Sequence, residues 1–387
     1  MSKRYLVAAG SLFLFGALSY LSSADQPAAK EPAKTVRPTV EVVFCLDTTG
    51  SMGGLIDAAK QKIWTICNQI AQGTPTPKLK IGLVAYRDRG DAYVTKVFDL
   101  TDDLDSIHGQ LMAMQAQGGG DFPESVNQAL HESVTKIKWS AGKKTLKIIF
   151  LVGDAPPHMD YADDVKYPET CKLAAKSDII INTIQCGNNA DARLHWEKIC
   201  RLAEGSYVQI DAKGGPIVAV ATPYDKDLAA INAELARSTL VYGGRARRAE
   251  SKAVAEKAAR LDAPAAADRA GFAGKAGGIT PADDLVDRVK DGKVKLESLK
   301  REELPEELRK LTLEEQKEYL KKVDARRQEL LKKAAQLDKQ RGAYIARKLA
   351  EDEKGRARDS FDGQVLRVLQ RQAQRVNIQY GTDPKKK

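Results

Sequence analysis

From Thr39 to Asp211 the chain alternates short apolar runs with amphipathic stretches. Val40–Leu46 is nearly all apolar, as expected of a strand covered on both faces. Ile56, Ala59, Ile63, Ile66 and Ile70 then recur at spacings of three and four, one face of a helix over 54–72. Leu79–Tyr86 reads as a second strand and Ala92–Phe98 as a third. The turn between them, Arg87-Asp88-Arg89-Gly90-Asp91, is too short for a parallel crossover, so this pair is an antiparallel hairpin. Thr101–Met114 is helical with Thr101 as its cap, and Val126, Leu130, Val134 and Ile137 mark another helix. Leu146–Val152 is a strand, Tyr167–Lys176 a helix, Ile179–Gln185 a strand, Ala192–Ala203 a helix and Tyr207–Ile210 a last short strand. This order predicts an α/β fold, a mostly parallel sheet with helices on both faces.

Beyond Gly243 the pattern changes. Residues 245–279, rich in Ala, Arg and Gly, read as a linker or a weak helix. Thr280-Pro281-Ala282-Asp283 offers an N-cap, Pro at the first helical position and an acid in the first turn. Pro305-Glu306-Glu307 opens a further helix, and Thr312-Leu313-Glu314-Glu315 is a capping box. Leu320, Val323, Leu330, Ala334 and Leu337 draw a thin apolar stripe through a charged helix, and Val365, Leu366, Val368 and Leu369 mark the final one. The expected organisation is a signal peptide at 1–24, a disordered linker at 25–38 and an α/β domain at 39–222. A helix and Ala/Gly-rich linker follow at 223–279, and a charged, coiled-coil-like helical region at 280–387.

Charge sharpens that division. The 387 residues carry a formal net charge of +10. Residues 1–243 hold 26 Lys/Arg against 27 Asp/Glu, and residues 244–387 hold 36 against 25. The basic character therefore belongs to the second region, which is too charged for a large core of its own. Its charge reads as a solvated helix surface, or as a contact for an envelope polyanion or for self-association. No Gly-rich nucleotide loop and no aromatic-interleaved basic strand occurs, which disfavours nucleic acid.

Lys3 and Arg4 precede an apolar run from Tyr5 to Leu21, and Ser22-Ser23-Ala24 supplies small residues at a cleavage site. Export to the periplasm or the extracellular space is expected, through cleavage or with the segment kept as an anchor. Five cysteines stand at 45, 67, 171, 186 and 200 without CxxC spacing, which argues against a zinc site among them. Cys171 opens a helix and Cys186 closes the following strand, so both should lie at the same end of the sheet. They form the expected disulfide.

The chemistry concentrates where apolar strands end. Val42-Val43-Phe44-Cys45-Leu46 stops at Asp47, and Asp47, Thr49 and Ser51 place three oxygen side chains at alternating positions. A hard divalent cation takes about six oxygen ligands, carboxylates and hydroxyls included. An N-cap for the following helix accounts for one of these residues, not three. Gly118-Gly119-Gly120-Asp121 and Val152-Gly153-Asp154 repeat the theme of an acid at a strand end or glycine-rich loop. In a parallel sheet such groups meet at the carboxyl rim.

Here the sequence resembles the von Willebrand factor type A domain, also called the integrin inserted domain. Asp47-Thr48-Thr49-Gly50-Ser51 matches the first part of that family's metal-ion-dependent adhesion site, GGGDFPES (118–125) its second loop, and IFLVGDAPP (149–157) the strand into its third. The resemblance covers about residues 39–211. It implies a mostly parallel sheet with one antiparallel edge strand, and Mg²⁺ (or Mn²⁺ or Ca²⁺) held by Asp47, Thr49, Ser51, Asp121 and Asp154. It also implies a protein partner offering an Asp or Glu carboxylate to the ion. The chain departs from the family at Phe122, where a ligating Thr is usual.

The reading is thus an exported, non-enzymatic interaction protein. A scaffold with a degenerate metal site and a binding tail is the alternative, followed by a metal-dependent hydrolase or an accessory subunit. Hydrolysis needs a base beside the metal, and only His158 is at hand. His158 otherwise reads as a rim-loop residue, Arg89-Gly90-Asp91 as a hairpin turn, and His108, His131, His195 and the three Trp as packing residues.

Overall fold

The structure, a computed structural model, describes residues 37–142, 144–213, 220–279, 281, 283–350 and 360–381. The expected signal peptide and all but the end of the linker lie outside these residues.

The strands are β1 (Thr39–Asp47), β2 (Lys78–Tyr86), β3 (Thr95–Thr101), β4 (Thr145–Gly153), β5 (Ile179–Cys186) and β6 (Tyr207–Ile210). The helices are α1 (Gly53–Ile70), α2 (Leu104–Ala113), α3 (Val126–Thr135), α4 (Tyr167–Lys176), α5 (Ala190–Leu202) and α6 (Asp225–Arg237). They continue with α7 (Arg245–Ala259), α8 (Ala263–Ala276), α9 (Leu285–Lys290), α10 (Leu313–Ala350) and α11 (Phe361–Ala373). The strands form one sheet in the order β3-β2-β1-β4-β5-β6, parallel except for β3. The chain leaves β1 towards one edge and returns through β4 towards the other, so the switch point lies between β1 and β4. Leu46 pairs with Val152, which sets Asp47 beside the Gly153-Asp154 turn.

Alternation along β1 feeds two cores. Val40, Val42, Phe44 and Leu46 pack with α1 and α2 on one face. Val43 and Cys45 pack with α3, α4 and α5 on the other. The first face is completed from the far end of the chain. Phe361, Val365, Leu366, Val368 and Leu369 of α11 share the core of β1 and α1, with the Phe361 ring 6.3 Å from that of Phe44. Asn182 of β5 and Gln372 of α11 exchange two amide hydrogen bonds, 3.0 and 2.8 Å. Each fully buried side chain of this size contributes about 1.5–3 kcal/mol, so α11 is part of the α/β core.

The Ala-rich stretch is α8, a helix buried against α1, α6 and α10. Buried ion pairs set its position. Arg269 reaches Asp105 of α2 through two nitrogens, 2.7 and 2.6 Å, and Asn232 of α6 at 2.8 Å. Asp268 accepts from Thr65 and Asn68 of α1 and from Arg341 of α10. Leu330 and Ala334 of α10 pack on Leu228, Ile231, Ala267 and Ala270.

Four local expectations change. β3 begins at Thr95, three residues later than expected, because Asp88, Asp91 and Tyr93 are bonded to neighbouring rim loops. Thr101 ends β3, and α2 is capped by Asp103, which accepts from Ser106 N at 3.1 Å. Pro305 opens only a single turn of 3₁₀ helix, Glu306–Leu308. α9 starts at an Asp284 cap, and Thr280 and Ala282 lie outside the described residues. The capping box at Thr312 forms, with Thr312 N donating to Glu315 at 2.8 Å and Glu315 N to Thr312 at 3.4 Å.

The expected disulfide is absent. Cys171 packs in the core on the α4 side and Cys186 in the core on the α1 side, with the sheet between them. All five cysteines are buried thiols. Among the described residues no helix is long and apolar enough to cross a membrane.

Candidate metal centre

At the carboxyl end of β1, Asp47 is fully buried. Its Oδ1 accepts hydrogen bonds from Thr49 N at 2.8 Å and Thr49 Oγ1 at 2.7 Å. Thr49 Oγ1 lies 3.4 Å from Ser51 Oγ. The three alternating side chains therefore do project together. Neither the 3₁₀ turn at Gly50–Met52 nor α1 receives a side-chain cap, so the N-cap reading of this motif fails.

Asp47 Oδ2 is buried and has no hydrogen-bond partner. Such an oxygen costs about 1–3 kcal/mol when left unsatisfied. Burial pushes the Asp47 carboxyl up to about 7, against the pull of the Thr49 bonds and with the Asp154 charge adding to the rise. A Cβ at Gly153 would sit 2.5 Å from Tyr86 Oη and 3.1 Å from Asp47 Oδ2. Only glycine lets β4 pass this close to the acid.

Glu124 is the residue that sequence reasoning missed. A Cβ at Gly119 would meet Glu124 Oε1 and Thr49 Cβ, each at 3.3 Å, so the Glu124 carboxyl lies against the first loop. Its Oε2 is buried without a partner. Burial, then the charges of Asp47, Asp88, Asp91 and Asp154, push this carboxyl up to about 9. Backbone bonds hold the three loops in register. Gln117 N donates to Thr48 O, Gly50 N to Gly118 O, and Glu124 N to Pro156 O, at 3.0–3.1 Å. Gly118 and Gly119 adopt φ of +80° and +85°, the left-handed region where glycine carries no steric cost.

Phe122 is 52% exposed and offers the site no oxygen. The inward-facing acid, Glu124, stands two residues beyond the position where a hydroxyl was expected. The signal was present in GGGDFPES itself, but spacing alone does not say which of two acids turns in.

Asp154 follows β4 at the same rim, beside Asp47. Asp121 goes elsewhere: its Oδ2 is 3.6 Å from His158 Nε2, and Asp88, Asp121 and His158 converge within 4.8 Å. Arg89-Gly90-Asp91 is a turn whose side chains are engaged. Arg89 bonds Asp163 and Asp164, and Asp91 accepts from Gly119 N. Among the other histidines, His108 lies against Trp64, His131 approaches Thr170 and His195 contacts Tyr167.

The donors brought together are thus Asp47, Thr49, Ser51 and Glu124, with Asp154 adjoining. They are all oxygen, two carry orphaned buried atoms, and the set suits a hard divalent cation.

A family model described as von Willebrand factor A domain matches residues 41–221. The rat von Willebrand factor A domain-containing protein 7 is 36% identical over 122 residues, 32% of this chain and 12% of its own length. The mouse protein of the same name is 30% identical over 200 residues, 51% of this chain and 21% of its own length. This chain therefore spans only a small part of those relatives. Among solved structures, the SpRpn10 VWA domain aligns over 45% of this chain and 89% of its own, with 16% identity and a TM-score of 0.35.

Proposed function

We propose, taking residues 41–221 to be a von Willebrand factor A domain, that this chain is an interaction protein whose rim holds a divalent cation and captures a partner's carboxylate. The observation that carries the reading is the pair of buried, unpartnered oxygens, Asp47 Oδ2 and Glu124 Oε2, facing one rim. Asp47, Thr49, Ser51, Glu124 and Asp154 would hold the ion, and Mg²⁺ suits their all-oxygen chemistry. When bound, the ion supplies a concentrated positive charge with a position open to an Asp or Glu side chain. Phe122 and Met159, 52% and 41% exposed on the adjoining loops, offer the apolar contacts of a protein interface. The role is binding rather than catalysis, and the N-terminal segment would deliver the domain outside the cytoplasm.

The test is retention of surface proteins from the source cells on the immobilised full chain. Retention in Mg²⁺, release by a chelator and loss in Asp47→Ala support the reading. Retention indifferent to both overturns it.

The basic second region supports one further reading. Arg245, Arg248, Arg301 and Arg309 line a surface pocket together with Glu302 and Glu303, a net positive lining that favours a polyanion as a secondary contact. Salt-sensitive binding of heparin that is reduced in Arg245→Ala/Arg301→Ala tests it.

A further inference from the structure

We propose a second cation site beside the first, built from Asp88, Asp121 and His158 and suited to Zn²⁺. His158 is 4% exposed, and stacking and hydrogen bonds hold its position. It stacks on Tyr161 at 4.0 Å with the planes 9° apart. Its backbone N–H donates to Glu124 O at 3.1 Å, and its carbonyl accepts from Asn127 Nδ2 at 2.7 Å. Its Nδ1 lies 2.8 Å from Asp160 Oδ1. A carboxylate accepts only, so Nδ1 carries a proton, and in the neutral ring Nε2 is the atom that offers a lone pair to a metal.

Nε2 faces two carboxylate oxygens. Nε2 is buried with no hydrogen-bond partner, 3.4 Å from Asp88 Oδ2 and 3.6 Å from Asp121 Oδ2. These separations exceed the roughly 2.7–2.9 Å of a charge-assisted hydrogen bond. They match the ligand-to-ligand edge, roughly 3.3–3.6 Å, of a tetrahedron with zinc-like bonds of about 2.0–2.2 Å.

The surroundings orient the donors as they do around bound metals. Asp160 holds the far nitrogen of the imidazole, the usual carboxylate–histidine arrangement. Asp88 is fixed through both oxygens, with Ser125 Oγ donating to Oδ1 at 2.7 Å and Tyr161 Oη to Oδ2 at 2.8 Å. Arg89 lies over Tyr161 and is paired with Asp163 and Asp164. Asp121 is exposed, which leaves one side open to water or a ligand. One imidazole with two carboxylates selects a borderline ion such as Zn²⁺, whereas the all-oxygen set at Asp47 selects Mg²⁺. A Zn²⁺ here joins the loops carrying Asp88, Asp121 and His158, and so braces the loop that carries Glu124.

Zn²⁺ is titrated into the full chain by calorimetry in saturating Mg²⁺, alongside Asp47→Ala, His158→Gln and Asp121→Asn, with circular dichroism as the folding control. Asp121 is exposed, so its variant remains informative if the His158 variant fails to fold. The expected result is one Zn²⁺ site that survives Asp47→Ala and weakens at least about tenfold in His158→Gln and Asp121→Asn. Co²⁺ in its place gives a visible absorption band that disappears with the same two substitutions. Unchanged Zn²⁺ affinity in folded Asp121→Asn overturns the proposal, as does loss of all Zn²⁺ binding in Asp47→Ala. Absence of Zn²⁺ binding in the wild type also overturns it, and would make the group an imidazolium–carboxylate ion pair.

Discussion

Glu124 carries opposite consequences in the two states of the rim. Without a cation it is a buried acid with an orphaned oxygen, surrounded by other acids. Glu124→Gln keeps the shape and removes the charge, so the chelator-treated variant should melt at or above the wild-type temperature. With Mg²⁺ in the proposed site the order should reverse. A ligand at a hundred times its Kd adds about 2.7 kcal/mol to the folded state, and the variant should gain clearly less. Equal Mg²⁺-induced shifts in the two proteins would remove Glu124 from the ligand set. Gly153 makes a second residue-scale prediction. The methyl group of Gly153→Ala would press on Tyr86 Oη and on Asp47. Overpacking of this kind costs about 1–3 kcal/mol, and here it should also cost cation affinity. Denaturant unfolding together with a Mg²⁺ titration checks both effects.

At the scale of elements, α8 is the joint between the sheet domain and the helices beyond it. Arg269 and Asp105 are each 4% exposed, and removing one partner strands the other charge in the interior. Arg269→Ala should therefore destabilise by about 3–5 kcal/mol. Arg326 pairs with Glu234 on the surface, and Arg326→Ala should leave the urea midpoint unchanged. Urea unfolding of the two variants side by side measures the contrast. This joint was also the least legible part of the sequence. Its Ala and Gly content, read as linker or weak helix, serves close helix contact. A Cβ at Gly271 would lie 2.1 Å from Asp338 Oδ1, and one at Gly274 would lie 2.6 Å from Ala335 N. Elements with strong period were plain by comparison. Tyr167–Lys176 and Tyr207–Ile210 have the bounds that their patterns predicted. Asp47, Thr49 and Ser51 were legible because the five residues from the end of β1 into the 3₁₀ turn set all three side chains together. Glu124 and Asp121 were not, because their facing depends on where a second loop lies against the first.

Over the described residues, β1 and α11, at opposite ends of the chain, share one core. Phe44 of β1 meets Phe361 of α11, and Ile378 packs in the same cluster at 0% exposure. The sheet domain bounded by similarity at residues 41–221 therefore lacks a helix that covers one of its faces. Deleting 360–387 should expose Phe44, Phe150 and Leu369's neighbours on α1. The truncated chain should lose its cooperative melt and become open to protease at concentrations the full chain resists. A truncated protein that melts as the full chain does would show that α11 is dispensable. Cation binding at the rim is measured by calorimetric titration of Mg²⁺ into the full chain beside Asp47→Ala. Saturable binding is expected in the wild type and none at the same concentrations in a folded Asp47→Ala. Equal heats in the two proteins, or no binding to the wild type, would contradict cation binding at the rim.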